Sequence, residues 1–205
     1  LSSSSAASDV YKRQVMVVTS INKSDDILCK VLNSYCVKYT RGSLTNVLER
    51  FCEALKDYND DDLVFRLTAD NVFPDGNFLD EIEHQFNNSD ANIIKSDSKL
   101  SDLPYGLAAE LTKVKYIREA HKHALKPYDI EHVTPYIYRN TKVAYYNSKK
   151  YAGNINLRVT VDTFDDYVSI SKIFDGFDDP FNVSIDRLIC NKKKLKYRPR
   201  YAPSI

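Results

Sequence analysis

Asp62-Leu-Val-Phe-Arg-Leu-Thr68, followed by Ala69-Asp-Asn-Val-Phe-Pro-Asp-Gly76, is the stretch that decides the fold. The first seven residues have the apolar, β-branched and aromatic content of a short strand. The next eight close on Pro-Asp-Gly, a turn signal, and so read as a loop. Residues 77–86 then read as a helix. Upstream the same order repeats. Val15-Met-Val-Val-Thr-Ser20 is a β-branched strand, Ser24-Asp25-Asp26 offers a helix cap and first-turn carboxylates, and Ile27, Leu28, Val31 and Leu32 recur at helical spacing. Val37-Lys-Tyr-Thr40 is another strand, and Arg41-Gly42-Ser43 a turn with a capping serine. Leu44, Val47, Leu48, Phe51, Cys52 and Leu55 then hold one helical face for about three turns.

Further along, strands are expected at 91–94, 141–146 and 157–161, with 107–111 extended. Helices are expected at 112–124, 131–139 and 182–190. Thr163 caps one more, carrying Phe164, Tyr167, Val168, Ile173 and Phe174, with Asp166 three positions after the cap. Strands alternating with helices at this spacing predict an α/β fold with a mostly parallel, mixed sheet.

At 205 residues the chain fits one domain. Its 43% hydrophobic and 28% charged content is that of a folded protein, and no apolar run reaches the roughly 18–20 residues of a membrane span. The five glycines form neither a G-x-G-x-x-G nor a P-loop pattern, so a dinucleotide-binding or P-loop enzyme is unsupported. Neither a nucleophile elbow nor an H-E-x-x-H segment is present, so hydrolase readings lack support. The four cysteines have no C-x-x-C spacing and read as small buried thiols of a cytoplasmic protein.

Net charge is +1, yet six cations between Lys192 and Arg200 stand without an acid; taking them away leaves the remainder at −5. Residues 191–205 therefore read as a basic, solvated tail, with no nucleic-acid partner expected. The serine-rich stretch 1–14 lacks periodicity and reads as a linker-like, non-native leader, which leaves 15–190 as the domain.

In open α/β sheets ligands bind beyond the carboxyl ends of strands. Asp70 follows one strand and Asp162 another, and two carboxylates so placed can share a Mg²⁺ with phosphate oxygens and water. Taken singly, each is more often a helix cap or turn residue. His121 and His123, at i and i+2, point to different helix faces and make no metal pair. His132 stands in a distinctive segment, Glu131-His-Val-Thr-Pro-Tyr-Ile137, as a ligand contact or a hydrogen-bonded core histidine.

Four stretches now stand in order: Arg41-Gly-Ser-Leu-Thr-Asn-Val-Leu-Glu-Arg50, Val64-Phe-Arg-Leu-Thr-Ala-Asp70, Glu131-His-Val-Thr-Pro-Tyr-Ile137 and Leu157-Arg-Val-Thr-Val-Asp-Thr163. In these the chain resembles the spore-coat polysaccharide (SpsF-like) cytidylyltransferases, relatives of the acylneuraminate and 3-deoxy-manno-octulosonate enzymes. The resemblance implies a nucleotide-diphospho-sugar transferase fold, GT-A-like and Rossmann-like, in three layers. It implies a reaction in which a hydroxyl of a sugar or sugar acid attacks the α-phosphate of CTP and pyrophosphate leaves. It further implies Asp70 and Asp162 as catalytic Mg²⁺ ligands, Arg41 and Arg66 as phosphate or sugar-acid contacts, and Asn71, Glu131, His132 and Thr134 as substrate-pocket residues.

Where the family has Gly-Asp-Cys-Pro this chain has Ala69-Asp-Asn-Val72, keeping the aspartate and changing its neighbours. The family's opening strand and its Arg-x-Gly-Ser-x-Arg nucleotide loop, a unit of roughly 30 residues, have no counterpart before Val15. A truncated, inactive or weak fragment is therefore expected, and relatives that pair extend the expectation of a homodimer. Two other readings compete with this one. A GT-A glycosyltransferase would need an Asp-x-Asp where Asp70-Asn-Val stands, and a non-catalytic module would bind through its basic tail.

Overall fold

The computed structural model describes residues 14–194, apart from 74, 97, 152 and 180–182. Met16–Ser20 (β1), Asp26–Ser34 (α1) and Lys38–Gly42 (β2) form a β-α-β unit whose strands pair in parallel, Met16 opposite Lys38 and Ser20 opposite Gly42. Val47–Ala54 (α2) packs against this pair. Leu63–Arg66 (β3), Gly76–Asn87 (α3) and Ile93–Lys95 (β4) form the next unit. A single turn, Ser98–Ser101 (α4), then leads toward Glu110–Lys113 (β5). The rest are Val114–His123 (α5), Pro127–His132 (α6), Pro135–Asn140 (α7), Val143–Tyr145 (β6), Phe164–Phe174 (α8) and Ile185–Lys194 (α9).

The second sheet has the order β3-β5-β4-β6. β5 is antiparallel to both β3 and β4, and β6 is parallel to β4. Hence β3, β4 and β6 run one way and β5 alone runs against them, the mostly parallel mixed sheet that the alternation predicts. Ile93 and Ile94 point to opposite faces and both are fully buried, as a central strand requires. One face joins Ile94 and Leu111 to Ile82 of α3, Ile173 of α8 and Leu188 of α9. The other joins Ile93 to Leu48 of α2, Ile117 of α5 and Ile137 of α7. Helices thus cover both faces, giving three layers.

Several elements differ from the sequence expectations. The helix expected over 131–139 is two short ones, α6 and α7. A continuous helix would place Pro135 in its interior, where it lacks the N–H and clashes with the carbonyl four residues back. Instead Pro135 opens α7, and Val133 turns the chain at φ 69°, ψ −56°. The helix expected from 112 begins at Val114, because Thr112 and Lys113 pair with Val64 and Leu63 in β5. The strand expected at 157–161 makes only isolated bridges, Tyr105 to Arg158 and Asn71 to Thr160, since its neighbours are loops.

Asn46, not Ser43, caps α2: its Oδ1 accepts from Glu49 N at 3.0 Å, while Ser43 Oγ accepts from Asn46 N. Asp25 turns back on β1 rather than capping α1. It accepts from Ser20 Oγ, Thr19 Oγ1 and Ser20 N, which hold its carboxyl well below the usual range. All four cysteines are free thiols. Cys29 is buried and Cys52 half-buried, but Cys36 and Cys190 are exposed, so the buried-thiol expectation holds for only part of the set. No helix among the described residues is long and apolar enough to cross a membrane.

Candidate active site

Two clusters form at the carboxyl edge of β3, β4 and β6. In the first, the loop after β3 turns at Asp70, where Asn71 N donates to Thr68 O and Asn71 Nδ2 to Thr68 Oγ1. The stretch 158–161 pairs with that turn: Val161 N donates to Asp70 O at 2.9 Å, and Thr160 bridges Asn71. Asp70 and Asp162 are thereby set on adjacent chain segments, both exposed at the edge. Tyr105, flanking Gly106, holds the same stretch from its other side through Tyr105 N to Leu157 O and Val159 N to Tyr105 O, each 2.7 Å. Buried Asp75 completes the loop by accepting from Asn77 N and Ile185 N, which ties the starts of α3 and α9 together.

Asp162 leads into α8. Thr163 Oγ1 accepts from Asp166 N and Asp166 Oδ2 accepts from Thr163 N, the capping box predicted from sequence. Arg158 donates to both Asp166 oxygens and to Asp162 Oδ2. It also lies over the Tyr105 ring, 4.9 Å from its centroid.

The Arg158 guanidinium, with help from the Asp162 N–H and the Thr163 hydroxyl, pulls the Asp166 carboxyl down to about 2. A depressed carboxyl stabilises the fold above its unfolded pKa, near 4, and that gain disappears as pH falls toward 2. Asp166→Asn is therefore expected to destabilise by about 2 kcal/mol at pH 7. Urea unfolding at pH 7, 4 and 2.5 should show the gap between parent and variant narrowing stepwise; a gap independent of pH contradicts the assignment.

The second cluster surrounds Glu110 at the start of β5. Arg66 Nη1 and Thr134 Oγ1 donate to Glu110 Oε2 at 3.0 and 2.9 Å, and Tyr138 Oη donates to Oε1. Burial, the Glu110 charge and the hydrogen bond to it push the Tyr138 hydroxyl far above its ordinary pKa. Lys95 Nζ lies 4.8 Å from the centre of the same ring. Val133 is fully buried, and its turn is closed by Thr134 N donating to His132 O at 2.8 Å. This is a γ-turn at positive φ, a strained state for a β-branched residue.

The structure thus joins Asp70, Asn71 and Asp162 in one cluster, and Arg66 with Thr134 in the other. Arg41 lies apart: it donates to Ser20 O and Asn22 O and pairs with Asp26, closing the corner between β1 and α1. Glu131 is exposed, and His132 lies against Tyr128 with ring centroids 4.3 Å apart. Neither side chain joins a cluster among the described residues. Glu110, Tyr138 and Arg158 are participants that sequence reasoning missed.

A cytidylyltransferase family model matches residues 4–193. The chain belongs to the cytidylyltransferase family. A curated protein of Methanocaldococcus jannaschii, MJ1063, described as uncharacterized, is 33% identical over 182 residues, covering 85% of this chain and 71% of that protein. The spore coat polysaccharide biosynthesis protein SpsF of Bacillus subtilis is 28% identical over 185 residues, 85% of this chain and 72% of that one. Among solved structures, a cytidylyltransferase from Leptospira borgpetersenii superposes with a TM-score of 0.79 at 24% identity, over 92% of this chain and 81% of the other. A 4-diphosphocytidyl-2C-methyl-D-erythritol synthase from Anaerococcus prevotii shares the fold more distantly, with a TM-score of 0.51 at 16% identity over 79% and 81%. The α/β architecture is therefore one that solved cytidylyltransferases share.

Proposed function

We propose that this chain carries the catalytic fold of an enzyme that transfers CMP from CTP to a hydroxyl of a sugar or sugar acid, releasing pyrophosphate, in surface polysaccharide biosynthesis. The observation that carries the reading is the pairing of the Asp70 turn with residues 160–161, which brings Asp70 and Asp162 to one edge. The name of the SpsF relative supports the polysaccharide setting.

The donor set fits Mg²⁺. It consists of carboxylate oxygens, and both aspartates are exposed. That is the environment of an ion that keeps waters and phosphate oxygens rather than a closed protein cage. Asp70 and Asp162 would hold it, and when bound it would neutralise charge on the phosphates.

The chain's own residues do the rest. The pairing between loop and stretch 158–161 fixes the two chain segments that carry the carboxylates, and in-line displacement needs such positioning more than covalent help. Arg158 holds the Asp162 carboxylate. The sugar oxygen forms the new bond to the α-phosphorus as the bond to pyrophosphate breaks, and the hydroxyl proton passes to water. Arg66 offers its remaining N–H groups to the substrate, while Arg41 keeps the end of β1 in place. The test is pyrophosphate release from CTP by the full-length protein, with a panel of sugars and sugar acids and with or without MgCl₂. Release that depends on both an added sugar and Mg²⁺ is expected. Substituting UTP or ATP with equal efficiency contradicts the cytidylyl assignment.

A further inference from the structure

Arg66, Glu110, Lys95 and Tyr145 cross the sheet in one register: Arg66 stands opposite Glu110, Glu110 opposite Lys95, and Lys95 opposite Tyr145. Residues directly opposite one another share a face, so four polar side chains form a row at the carboxyl edge of the sheet. Thr134 and Tyr138 of the α7 region cover that row and donate to its carboxylate. An ion pair this sheltered, with side chains 18% and 17% exposed, is a poor stabiliser by itself; apolar groups of similar volume often serve as well.

The hydrogen-bond inventory leaves room for a ligand. A carboxylate accepts about four bonds, and Glu110 receives three, two on Oε2 and one on Oε1. Arg66 has five N–H donors and uses one on Glu110. Thr40 Oγ1, Arg50 Nε and Asp129 Oδ1 are the buried side-chain polar atoms without a partner among the described residues. No Arg66 nitrogen is among them, so its unshared donors reach solvent. An open acceptor and open donors therefore sit side by side on a pair whose charges cancel. A phosphate or carboxylate would be drawn by Arg66 and repelled by Glu110. Adjacent sugar hydroxyls, which both donate and accept, satisfy the two together. The strained turn at Val133 fixes Thr134 against Glu110, and strain held by surrounding structure accumulates where geometry serves binding.

We infer that Arg66 and Glu110 form the hydroxyl-recognition subsite for the sugar, Arg66 donating to one oxygen of a vicinal diol and Glu110 accepting from the other. This rests on the reading of the chain as a sugar nucleotidyltransferase. Glu110 is the residue that determines specificity, and Tyr138 and Thr134 are positioning residues that act through it.

The test is ligand-observed NMR titration of the full-length protein without CTP. The probes are N-acetylneuraminate, 3-deoxy-manno-octulosonate, D-mannose and N-acetylglucosamine. At least one probe should bind the parent, and Glu110→Gln should weaken it about tenfold or more, the loss expected for a charged hydrogen bond. Glu110→Asp, which keeps the charge and retracts the acceptor, should weaken it as well and carries the test if Glu110→Gln does not fold. Tyr138→Phe, which removes one donor to Glu110 but leaves its carboxylate in place, should lower thermal stability and weaken sugar binding by less than Glu110→Gln does. Binding of none of the probes, affinity indifferent to Glu110, or equal losses in Tyr138→Phe and Glu110→Gln overturns the subsite. Titration with CTP separates the two readings. Glu110-dependent sugar binding in a protein that ignores CTP removes the cytidylyl assignment and keeps the subsite. CTP turnover with sugar affinity unmoved by Glu110 does the reverse.

Discussion

Asp70→Asn and Asp162→Asn are each expected to cut pyrophosphate release from CTP by about 100-fold or more, since even residues behind a metal ligand are worth 10- to 100-fold. Folding should barely change. Both side chains are exposed, and the ion pair that Asp162 makes with Arg158 involves a carboxylate that is 45% exposed. Pairs of that kind contribute on the order of 0–1 kcal/mol. Asn also preserves the backbone hydrogen bond from Val161 N to Asp70 O, which is what positions the loop. Raising MgCl₂ should recover part of the lost rate if the defect is weakened metal affinity. Rates equal to the parent in both variants would remove the aspartates from the site. A collapse in thermal stability matching the loss of rate would assign them to the fold instead.

The outline of the molecule was legible because two kinds of local signal are strong. A β-branched run produced β1, an aliphatic and aromatic one produced β3, and Thr163 with Asp166 announced the start of α8 by a reciprocal pair of hydrogen bonds that only neighbouring residues can make. The direction of β5 was not legible. Alternation of side chains along 107–113 is the same for a parallel and an antiparallel strand, and only the partners decide. Glu110 escaped for a related reason. Its donors, Thr134, Tyr138 and Arg66, lie 24, 28 and 44 residues away, so no motif spacing contains them. The one available signal was a lone carboxylate inside an otherwise apolar extended stretch, Leu107-Ala-Ala-Glu-Leu111. A charge in such a place is either at an open edge or held by partners. Val133 carried no signal at all, because a β-branched residue is the last that local rules would assign to positive φ. Around Asp70 and Asp162 the two aspartates stand out by their positions after strands, whereas Arg158, which holds one of them, carries no such local signal.

Gly106→Ala should be among the most damaging single-methyl additions in the chain. Gly106 has φ +106°, a conformation that side chains rarely adopt. A Cβ there would lie 2.7 Å from Thr160 N and from Val159 C, and 3.0 Å from Val159 O. These are backbone atoms, so no rotamer change relieves the contact. Either the turn at 104–106 or the stretch 157–161 has to move, and the two 2.7 Å hydrogen bonds that Tyr105 makes with Leu157 and Val159 move with it. Strain and lost bonds together are expected to cost about 3 kcal/mol or more. For a chain of this size that is a fall in Tm of about 6–12 °C. Gly153 supplies the control. Its φ is also positive, at +81°, but an added Cβ meets nothing within 4 Å, so Gly153→Ala should cost only about 1 kcal/mol of backbone strain. The damage at Gly106 should also reach chemistry, because Thr160 and Val161, next to the displaced atoms, are the residues that pair with Asn71 and Asp70. Turnover measured well below the lowered Tm should therefore fall in Gly106→Ala and stay near the parent in Gly153→Ala. Equal stability and equal rates in the two variants would mean that the close approach at Gly106 does not hold the aspartates together.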